Sequence, residues 1–531
     1  MTINGHIVMF SVSGWGHVRP LVAFACRIIQ QRPASDIGIT IFVSGNIIDK
    51  TDIELARYFA PGDESKGHIR IISVQAENSD PFELIFGTAG ACVHFYPSLY
   101  REERVTCLSS GKTFEPWPKP TLVISDVFLD VVSGIRAIDN AVTILGWSPG
   151  NNSATFRMLG PEELGGTGNI GAKAIVEAEK TGKSVQDVEN YLNFPEEGDL
   201  LEIPGLPPLY DFELIPQKKN PAMDGVHGRF TKISYNFVRA ADGLILPSTR
   251  ILEIEALDAW KKWQNSLGKE VYVIGPLLSI NDGSKVLEKS SKENERAASD
   301  KGPEIEAFLD KALQEHGEHS LIYISFGSFF WPKHSHIWAF LDVLIEQRVP
   351  FIFAHASPHA VIPDQLVQKV QESGIGLLSK WAPQQLILAH KATGWFVSHC
   401  GQNSFVESLA EGVPLLAWPL FADQPYNAAI LSLRLNVGYQ LMEARTGTAG
   451  LKALKRGIQP TGTDEALRRE TLEIIEKMRT ADGKLKRQNA QNLQAQMKAA
   501  WDEDGEAVTE LKRLLENNIP RANQNIQFSS R

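Results

Sequence analysis

The sequence predicts an α/β protein with two doubly wound parallel sheets, and three observations support this fold class. Short apolar runs of strand type alternate with helical stretches along most of the chain. The 531 residues are too many for one hydrophobic core. Residues 281–303 are charged and nearly free of large apolar side chains, so we predict a linker there. We expect Rossmann-like domains at residues 1–280 and 304–500, a helix at 501–518 and a polar tail at 519–531.

The composition excludes several kinds of partner and site. The formal net charge is −10 and no long basic stretch is present, which argues against nucleic acid and anionic membranes as partners. The four cysteines are scattered and predict neither a disulfide framework nor a zinc site. The chain opens directly into an apolar strand and contains no run of about 18 apolar residues. We therefore expect a soluble cytoplasmic protein without an integral membrane segment.

The first predicted strand, residues 6–14, leads through a turn into an apolar helix. The turn contains Gly16, His17 and Pro20, and it lacks the GxGxxG pattern of nicotinamide and flavin sites. Ligands of open α/β sheets bind at the carboxyl ends of the strands, which is where this histidine lies. His17 is thus a candidate catalytic base, with helix capping as the alternative.

A second candidate for the same sheet edge is Asp126. It follows the buried strand-type run TLVIS, so it should lie near His17. A carboxylate in that place can accept from one imidazole nitrogen, fix the tautomer and stabilise the imidazolium. Asp130, one helical turn later, is a second candidate for this role. A helix N-cap is the structural alternative for Asp126.

Aromatic residues cluster in the first half of the chain and are candidates for the lining of a ligand pocket. Residues 78–120 are rich in Pro, Phe and Tyr, and another strand-type run ends near a predicted pocket rim. The residues that we expect to line an apolar pocket are Trp15, Phe86, Phe95, Phe128 and Trp147. Core packing is the alternative for these side chains. Residues 151–235 predict little beyond one helix.

Polar residues are concentrated where a strand passes into a helix, within residues 381–424. The strand-type run GWFVSH ends at His399, and the helical stretch SFVESLAEG follows five residues later. Unpaired backbone N–H groups and the positive end of the helix dipole favour an anion at such a junction. Asn403 and Ser404 add hydrogen-bond donors. The junction therefore predicts a phosphate or diphosphate site.

The flanks of this junction suit the rest of a nucleotide-sugar. Trp381 stands before a proline-containing turn and can stack on a flat base. Glu407 lies on the phosphate side of the helix and can accept from ribose hydroxyls. Asp423 and Gln424 follow a further strand and can hold sugar hydroxyls.

Residues 381–424 closely resemble the signature box of family-1 UDP-glycosyltransferases, a family best known from plants. That box runs from a Trp to a Gln over 44 positions, as Trp381 to Gln424 does here. The matching positions are Trp381, Pro383, Gln384, His390, His399, Gly401, Asn403, Ser404, Glu407, Gly412, Pro414, Pro419, Asp423 and Gln424. One position departs, because plant members usually have Trp where this chain has Gln402, beside the donor sugar. The family's catalytic Gly-His-x-x-Pro turn fits residues 16–20, and its Ser-Phe-Gly-Ser turn fits residues 325–328.

The resemblance implies a GT-B fold and transfer of a hexose from a UDP-sugar to a hydroxyl, with inversion at the anomeric carbon. His17 would be the base and Asp126 its partner. The implied nucleotide-sugar contacts are Gly16, Ser328, Trp381, Ala382, Gln384, His399, Gly401, Gln402, Asn403, Ser404, Glu407, Asp423 and Gln424. The acceptor would be a small apolar or aromatic alcohol.

The resemblance also bears on donor, cofactor and assembly. The family associates the Asp423–Gln424 pair with UDP-glucose, although Gln402 leaves another UDP-hexose open. We expect no metal ion and no other cofactor, since hydrogen-bond donors would stabilise the diphosphate. The family's last helix crosses back onto the N-terminal domain, which makes residues 501–518 the candidate. We expect a monomer.

Three other functions remain open from the sequence. A nucleotide-sugar 2-epimerase-like enzyme can have the same fold, but it uses carboxylates in the cleft rather than a Gly-His-x-x-Pro turn. A non-catalytic UDP-sugar-binding protein would not need both His17 and Asp126. A glucosyltransferase that acts on a sterol or other membrane lipid would associate with membranes, which the negative net charge disfavours.

Overall fold

The computed structural model describes residues 3–31, 36–74, 81–220, 225–278, 299 and 301–519, with the side chains of residues 81–86 left out. The predicted linker at 281–303 and the predicted tail at 519–531 fall almost entirely outside these ranges. The described chain forms two parallel sheets that are flanked by helices. This arrangement confirms the predicted α/β fold class.

The first sheet has seven strands, and every neighbouring pair in it is parallel. Its order across the sheet is β11-β10-β7-β6-β1-β2-β3, while β4–β5 and β8–β9 form two short antiparallel pairs. The strands are β1 (Gly5–Phe10), β2 (Ile37–Val43), β3 (Ile69–Ser73), β4 (Val105–Thr106), β5 (Thr113–Phe114), β6 (Leu122–Asp126), β7 (Thr143–Trp147), β8 (Leu200–Leu201), β9 (Leu209–Tyr210), β10 (Gly243–Leu246) and β11 (Glu270–Val273).

The second sheet has six parallel strands in the order β14-β13-β12-β15-β16-β17. Its strands are β12 (Leu321–Ser325), β13 (Phe351–Ala354), β14 (Gly376–Ser379), β15 (Thr393–Ser398), β16 (Leu415–Ala417) and β17 (Gly438–Gln440). Along β12, Leu321 and Tyr323 join one apolar cluster, whereas Ile322 and Ile324 join another. Both faces of the sheet are therefore buried, which is why its strands are continuous apolar runs rather than alternating ones.

Helices cover both faces of the two sheets. The helices of the first half are α1 (Trp15–Gln31), α2 (Ile48–Ala56), α3 (Pro81–Tyr100), α4 (Val132–Ile138), α5 (Asn152–Leu159), α6 (Ile170–Thr181), α7 (Val185–Asn193), α8 (Val226–Ala240) and α9 (Arg250–Ser266). Those of the second half are α10 (Gly302–His316), α11 (His334–Glu346), α12 (Asp364–Ser373), α13 (Gln384–Ala389), α14 (Gln402–Ala410), α15 (Gln424–Ala429), α16 (Gly447–Gly450), α17 (Asp464–Met478), α18 (Ala481–Ala499) and α19 (Glu506–Asn518). Within the described residues, no helix combines the length and the apolar character that a bilayer span requires.

The last of these helices, α19, packs against the first sheet. Leu511, Leu514 and Leu515 are buried in the same apolar cluster as the strands of that sheet. Glu510 accepts a hydrogen bond from the backbone N–H of Val273 at the sheet edge. The last described helix therefore packs on the N-terminal half of the chain.

Candidate active site

The first feature of the site is a histidine–carboxylate pair at the carboxyl edge of the first sheet. Strands β1 and β6 are neighbours, so the segments that follow them emerge side by side. Nδ1 of His17 donates to Oδ2 of Asp126 at 2.5 Å. The other carboxylate oxygen accepts from the backbone N–H of Phe128 at 3.0 Å. Asp126 therefore both shapes its own turn and fixes the imidazole, with Nε2 of the ring left for a substrate.

The environment of His17 sets its protonation. Burial lowers the pKa of this imidazole, but the charge and hydrogen bond of Asp126 outweigh burial, and the charge of Asp423 adds to them. The pKa of His17 is raised above its usual value as a result. Asp126 is fully buried, whereas the imidazole is 26% exposed. An imidazole whose pKa is raised is therefore accessible from the cleft, and the carboxylate that raises this pKa is buried behind it.

A cavity of about 250 Å³ opens beside His17. Its walls are mostly apolar, and they come from the segment after β6, the segment after β7 and helices α5 to α8. The residues that give the cavity its character are Phe128, Met158, Ile170, Phe194, Leu214 and Phe230. Asp423 of the second half completes the lining. The cavity therefore joins the histidine to the segment predicted to hold the sugar.

Of the five aromatic residues predicted to line an acceptor pocket, Phe128 alone is in the lining of this cavity. Trp147 is completely buried and stacks on Phe24 with ring centroids 5.5 Å apart, so it belongs to the core. Phe95 packs against Phe42, and Trp15 packs against the apolar cluster that is formed around the first sheet. The side chain of Phe86 lies outside the described residues. The prediction failed for Trp147 because its side chain turns inward at the end of a strand buried on both faces.

On the opposite wall of the cleft, β12 and β15 end side by side, with Ser325 opposite Ser398. His399 follows and is held against two glycines. A Cβ on Gly327 would lie 2.9 Å from the His399 ring, and a Cβ on Gly401 would lie 2.7 Å from Nε2. Burial lowers the pKa of His399 to about 4, so the ring is neutral near pH 7 and can donate one N–H. Ser328 is exposed in the neighbouring turn.

Helix α14 begins directly after this histidine, with Gly401 at its N-cap. No side chain caps the helix, so its first backbone N–H groups remain available to a ligand. Gln402, Asn403 and Ser404 form the first turn. The helix dipole adds positive potential at the same point. The described geometry therefore offers an anion site on the second sheet, across the cleft from His17.

Asn403 also connects the two halves of the chain. Pro20 has no N–H, so the carbonyl of Gly16 loses its normal partner within α1. The Nδ2 group of Asn403 donates to this carbonyl at 3.1 Å. The missing N–H of Pro20 therefore leaves the Gly16 carbonyl available as a hydrogen-bond acceptor for Asn403.

The residues predicted for base and ribose lie next to one another on the second half. Nε2 of Gln384 donates to Glu407 at 2.7 Å, and Glu407 also forms an ion pair with Arg19 of the first half. Lys50 lies over the Trp381 ring, 4.5 Å from its centroid. Ala382, after the tryptophan, is buried. Basic side chains of α1 and α2 therefore cover this part of the cleft.

The residues predicted for the sugar have divided roles. Asp423 accepts from the backbone N–H of Asn151 at 3.2 Å, and burial raises its pKa to about 6. The side-chain oxygen Oε1 of Gln424 accepts hydrogen bonds from the backbone N–H groups of Leu420 and Phe421 and so fixes the loop before α15. Its amide nitrogen has no such structural bond among the described residues.

Sequence reasoning missed the carboxylate that holds Gln402. Nε2 of Gln402 donates to Glu253 at 3.4 Å, and Glu253 is fully buried on α9. Glu253 also accepts from Ser248 at 2.5 Å and from the backbone N–H of Asn152 at 2.6 Å. The sequence signal was a glutamate inside an apolar helical stretch, but such a residue is normally solvent-exposed.

The described residues contain no cluster of three or more His, Cys, Asp or Glu that would suit a metal ion. All four cysteines are buried and unpaired.

Comparison with known proteins adds independent findings. A family model described as UDP-glucoronosyl and UDP-glucosyl transferase matches residues 292–465. UDP-glycosyltransferase eriJ of Hericium erinaceus is 30% identical over 97% of this chain and 99% of its own length. Anthocyanin 3'-O-beta-glucosyltransferase of Gentiana triflora is 29% identical over 63% of this chain and 67% of its own length.

Solved structures show the same fold. A transferase from Siraitia grosvenorii in complex with UDP has a TM-score of 0.67 at 18% identity, over 97% of this chain and 100% of that one. A Phytolacca americana enzyme, complexed with UDP-2fluoro-glucose and pterostilbene, has a TM-score of 0.65 at 19% identity over the same shares. The predicted GT-B fold is thereby confirmed.

Proposed function

The chain belongs to the UDP-glycosyltransferase family, and we propose that it moves a hexose, with glucose expected, from a UDP-sugar to a hydroxyl of a small apolar or aromatic acceptor. The observation that carries this proposal is the cavity beside His17. One apolar space reaches both the histidine–carboxylate pair and Asp423 of the nucleotide-sugar box. An acceptor in that space would lie between a base and the donor sugar.

The proposed reaction is a single displacement. The acceptor oxygen forms a bond to the anomeric carbon while the bond to the diphosphate oxygen breaks, and that oxygen keeps the electron pair as UDP leaves. The acceptor proton passes to Nε2 of His17, and Asp126 stabilises the imidazolium through Nδ1. Attack from the face opposite the leaving group inverts the anomeric carbon. General base catalysis of this kind contributes roughly 10²–10⁴-fold.

Stabilisation of the leaving diphosphate is proposed to come from the chain itself. The neutral ring of His399, the hydroxyl of Ser404 and the uncapped N-terminus of α14 are all hydrogen-bond donors on one wall. Fixed donors of this kind act where charge develops and need no reorganisation during the reaction. We therefore propose that transfer needs no metal ion.

The donor sugar is the finer part of the proposal. Glucose is proposed because the family associates the Asp423–Gln424 pair with this sugar, and a carboxylate and an amide can both bind sugar hydroxyls. Gln402 contributes a buried amide that Glu253 orients, and its carbonyl oxygen has no partner among the described residues. The side-chain oxygen of Gln402 can accept a hydrogen bond from a hydroxyl of the transferred sugar, so the alternative donor is another UDP-hexose.

The test is release of UDP from a panel of UDP-sugars with a pool of phenols and hydroxylated terpenoids, with EDTA present. We expect a product heavier by one hexose, formed with UDP-glucose and undiminished by EDTA, with a β-linkage by NMR. Tight UDP binding without transfer from any donor would instead favour a binding protein. Loss of activity in EDTA would overturn the metal-independent mechanism.

Two further expectations belong to the same proposal. We expect a cytoplasmic protein, which cell fractionation would test, and the four unpaired cysteines fit a reducing compartment. We expect a monomer, which sedimentation of the full chain would test. Association with sterol-containing liposomes would instead support a membrane lipid as acceptor.

A further inference from the structure

The side chain of Arg157 on α5 brings a permanent positive charge to the acceptor cavity. Among the described lining residues it is the sole lysine or arginine. Its Nη1 donates to the backbone carbonyl of Gly166 at 3.2 Å. No aspartate or glutamate of the described chain lies within ion-pair distance of this guanidinium. The positive charge therefore faces an apolar space without a carboxylate of its own.

The other ionisable groups of the cavity are already accounted for. Asp211 accepts from the backbone N–H groups of Glu197, Gly198 and Phe212, and Asp423 accepts from Asn151. Burial lowers the pKa of His227 to about 4, so this ring is neutral. Arg157 is thus the group whose charge a ligand can still balance.

The chemistry of a guanidinium determines what kind of ligand that is. Arginine stays protonated in proteins, and its planar donors match the two oxygens of a carboxylate. A charge-assisted pair of this type is stronger than a neutral hydrogen bond, particularly in apolar surroundings.

A second hydrogen-bond donor, the hydroxyl of Tyr426, belongs to the lining of the same cavity as Arg157. Burial raises the pKa of Tyr426 to about 12, with the charges of Arg157 and Asp423 also acting on the phenol. The hydroxyl of Tyr426 therefore keeps its proton near pH 7, and the side chain lines the same cavity. Because both side chains line one cavity, each can donate to a carboxylate that binds there.

We propose that the preferred acceptor is an apolar hydroxy acid, whose hydroxyl faces His17 and whose carboxylate pairs with Arg157 and Tyr426. This inference rests on the proposed function, because it assumes that the cavity holds the acceptor. The carboxylate binds but does not react, so the product is a glycoside at the hydroxyl. Such a product is stable to mild alkali, unlike a glycosyl ester.

The experiment compares acceptors that differ in charge alone. The probes are 4-hydroxyphenyl alkanoic acids with two to eight methylene groups, each paired with its primary amide. At the best chain length we expect the wild-type kcat/KM to be roughly tenfold higher for the acid than for the amide. Arg157→Gln should remove this preference by raising the KM of the acid while kcat and the amide change little. Arg157→Lys should restore part of it.

The matched control is Arg239→Gln, which removes the same charge from an exposed position outside the cavity lining. It should leave the acid-to-amide ratio unchanged. If Arg157→Gln does not fold, the wild-type ratio and a Tyr426→Phe variant still test the proposal.

Several outcomes would overturn this inference. A kcat/KM for the acid that does not exceed that of its amide at any chain length would overturn the inference but not the transferase function. An alkali-labile product would also do so, because the carboxylate would then be the nucleophile. Absence of transfer to any acceptor from any UDP-sugar would overturn the proposed function as well.

Discussion

The two walls of the cleft differ in how the sequence builds them. The wall proposed to bind the nucleotide is local, since 44 consecutive residues supply the strand end, the helix N-terminus and the flanking polar groups. The wall proposed to bind the acceptor is assembled from distant segments that contribute His17, Phe128, Arg157, Phe194 and Phe230. A local wall keeps its chemistry wherever the motif occurs, whereas an assembled wall can change its selectivity through any one segment. The family function should therefore follow the first wall and the acceptor the second.

The largest expected effect separates the two walls completely. His17→Ala removes the base but leaves the nucleotide wall intact, so we expect transfer to fall by roughly 10²–10⁴-fold. UDP affinity, measured by calorimetry on the same preparation, should stay within about threefold of wild type. Equal loss of transfer and UDP binding would mean that the histidine holds the nucleotide, and the division between the walls would fail.

A smaller effect is expected on the nucleotide wall. Trp381→Ala removes the ring proposed to stack on the base, so we expect UDP to bind roughly tenfold more weakly. The acceptor KM at saturating donor should not change. Trp338→Ala is the control, because this partly exposed tryptophan lies on α11 away from the box. If both variants weaken UDP binding equally, Trp381 is not a base platform.

The smallest of the three effects is expected on the acceptor wall. Phe230 packs edge-to-face on Phe128 at 4.9 Å, and both line the cavity. Phe230→Ala should raise the acceptor KM by about three- to tenfold, since loss of a ring contact with an aromatic acceptor costs about 0.5–1.5 kcal/mol. UDP inhibition should be unaffected. A raised UDP inhibition constant with an unchanged acceptor KM would contradict the assignment of this wall.

The same contrast explains how far the sequence predicted the molecule. Strand ends in parallel sheets lie on one edge, so placing His17 and Asp126 after two strands was enough to predict their proximity. The 44-residue box was likewise recognisable from the sequence, because its matching residues are separated by fixed numbers of positions. The cavity was not, because α5, α7 and α8 are amphipathic segments between Gly- and Pro-rich turns whose packing depends on distant partners. The prediction for Trp147 shows what sequence alone does not give. Alternation along a strand that is buried on both faces does not tell which side chains line a pocket and which lie in the core.

Single residues made the remaining differences. Glu253 was missed because its carboxylate becomes tolerable inside the protein through donors from Ser248, Asn152 and Gln402. Ser248 is five residues from Glu253 and precedes α9, whereas Asn152 and Gln402 are 101 and 149 residues away along the chain. Satisfaction of a buried charge is a long-range property, and sequence spacing does not record it.

The most direct test of the account is the pH dependence of kcat/KM for the wild type and for Asp126→Asn. His17 must be unprotonated to accept the acceptor proton, and its pKa is raised, so the wild-type rate should fall as pH drops through a value above the usual 6.5. Asp126→Asn removes the charge while burial still lowers the pKa of His17. The acidic limb of the profile should then move below 6.5, together with a loss of rate smaller than that of His17→Ala. An acidic limb that does not move between the two proteins would contradict base catalysis by the His17–Asp126 pair.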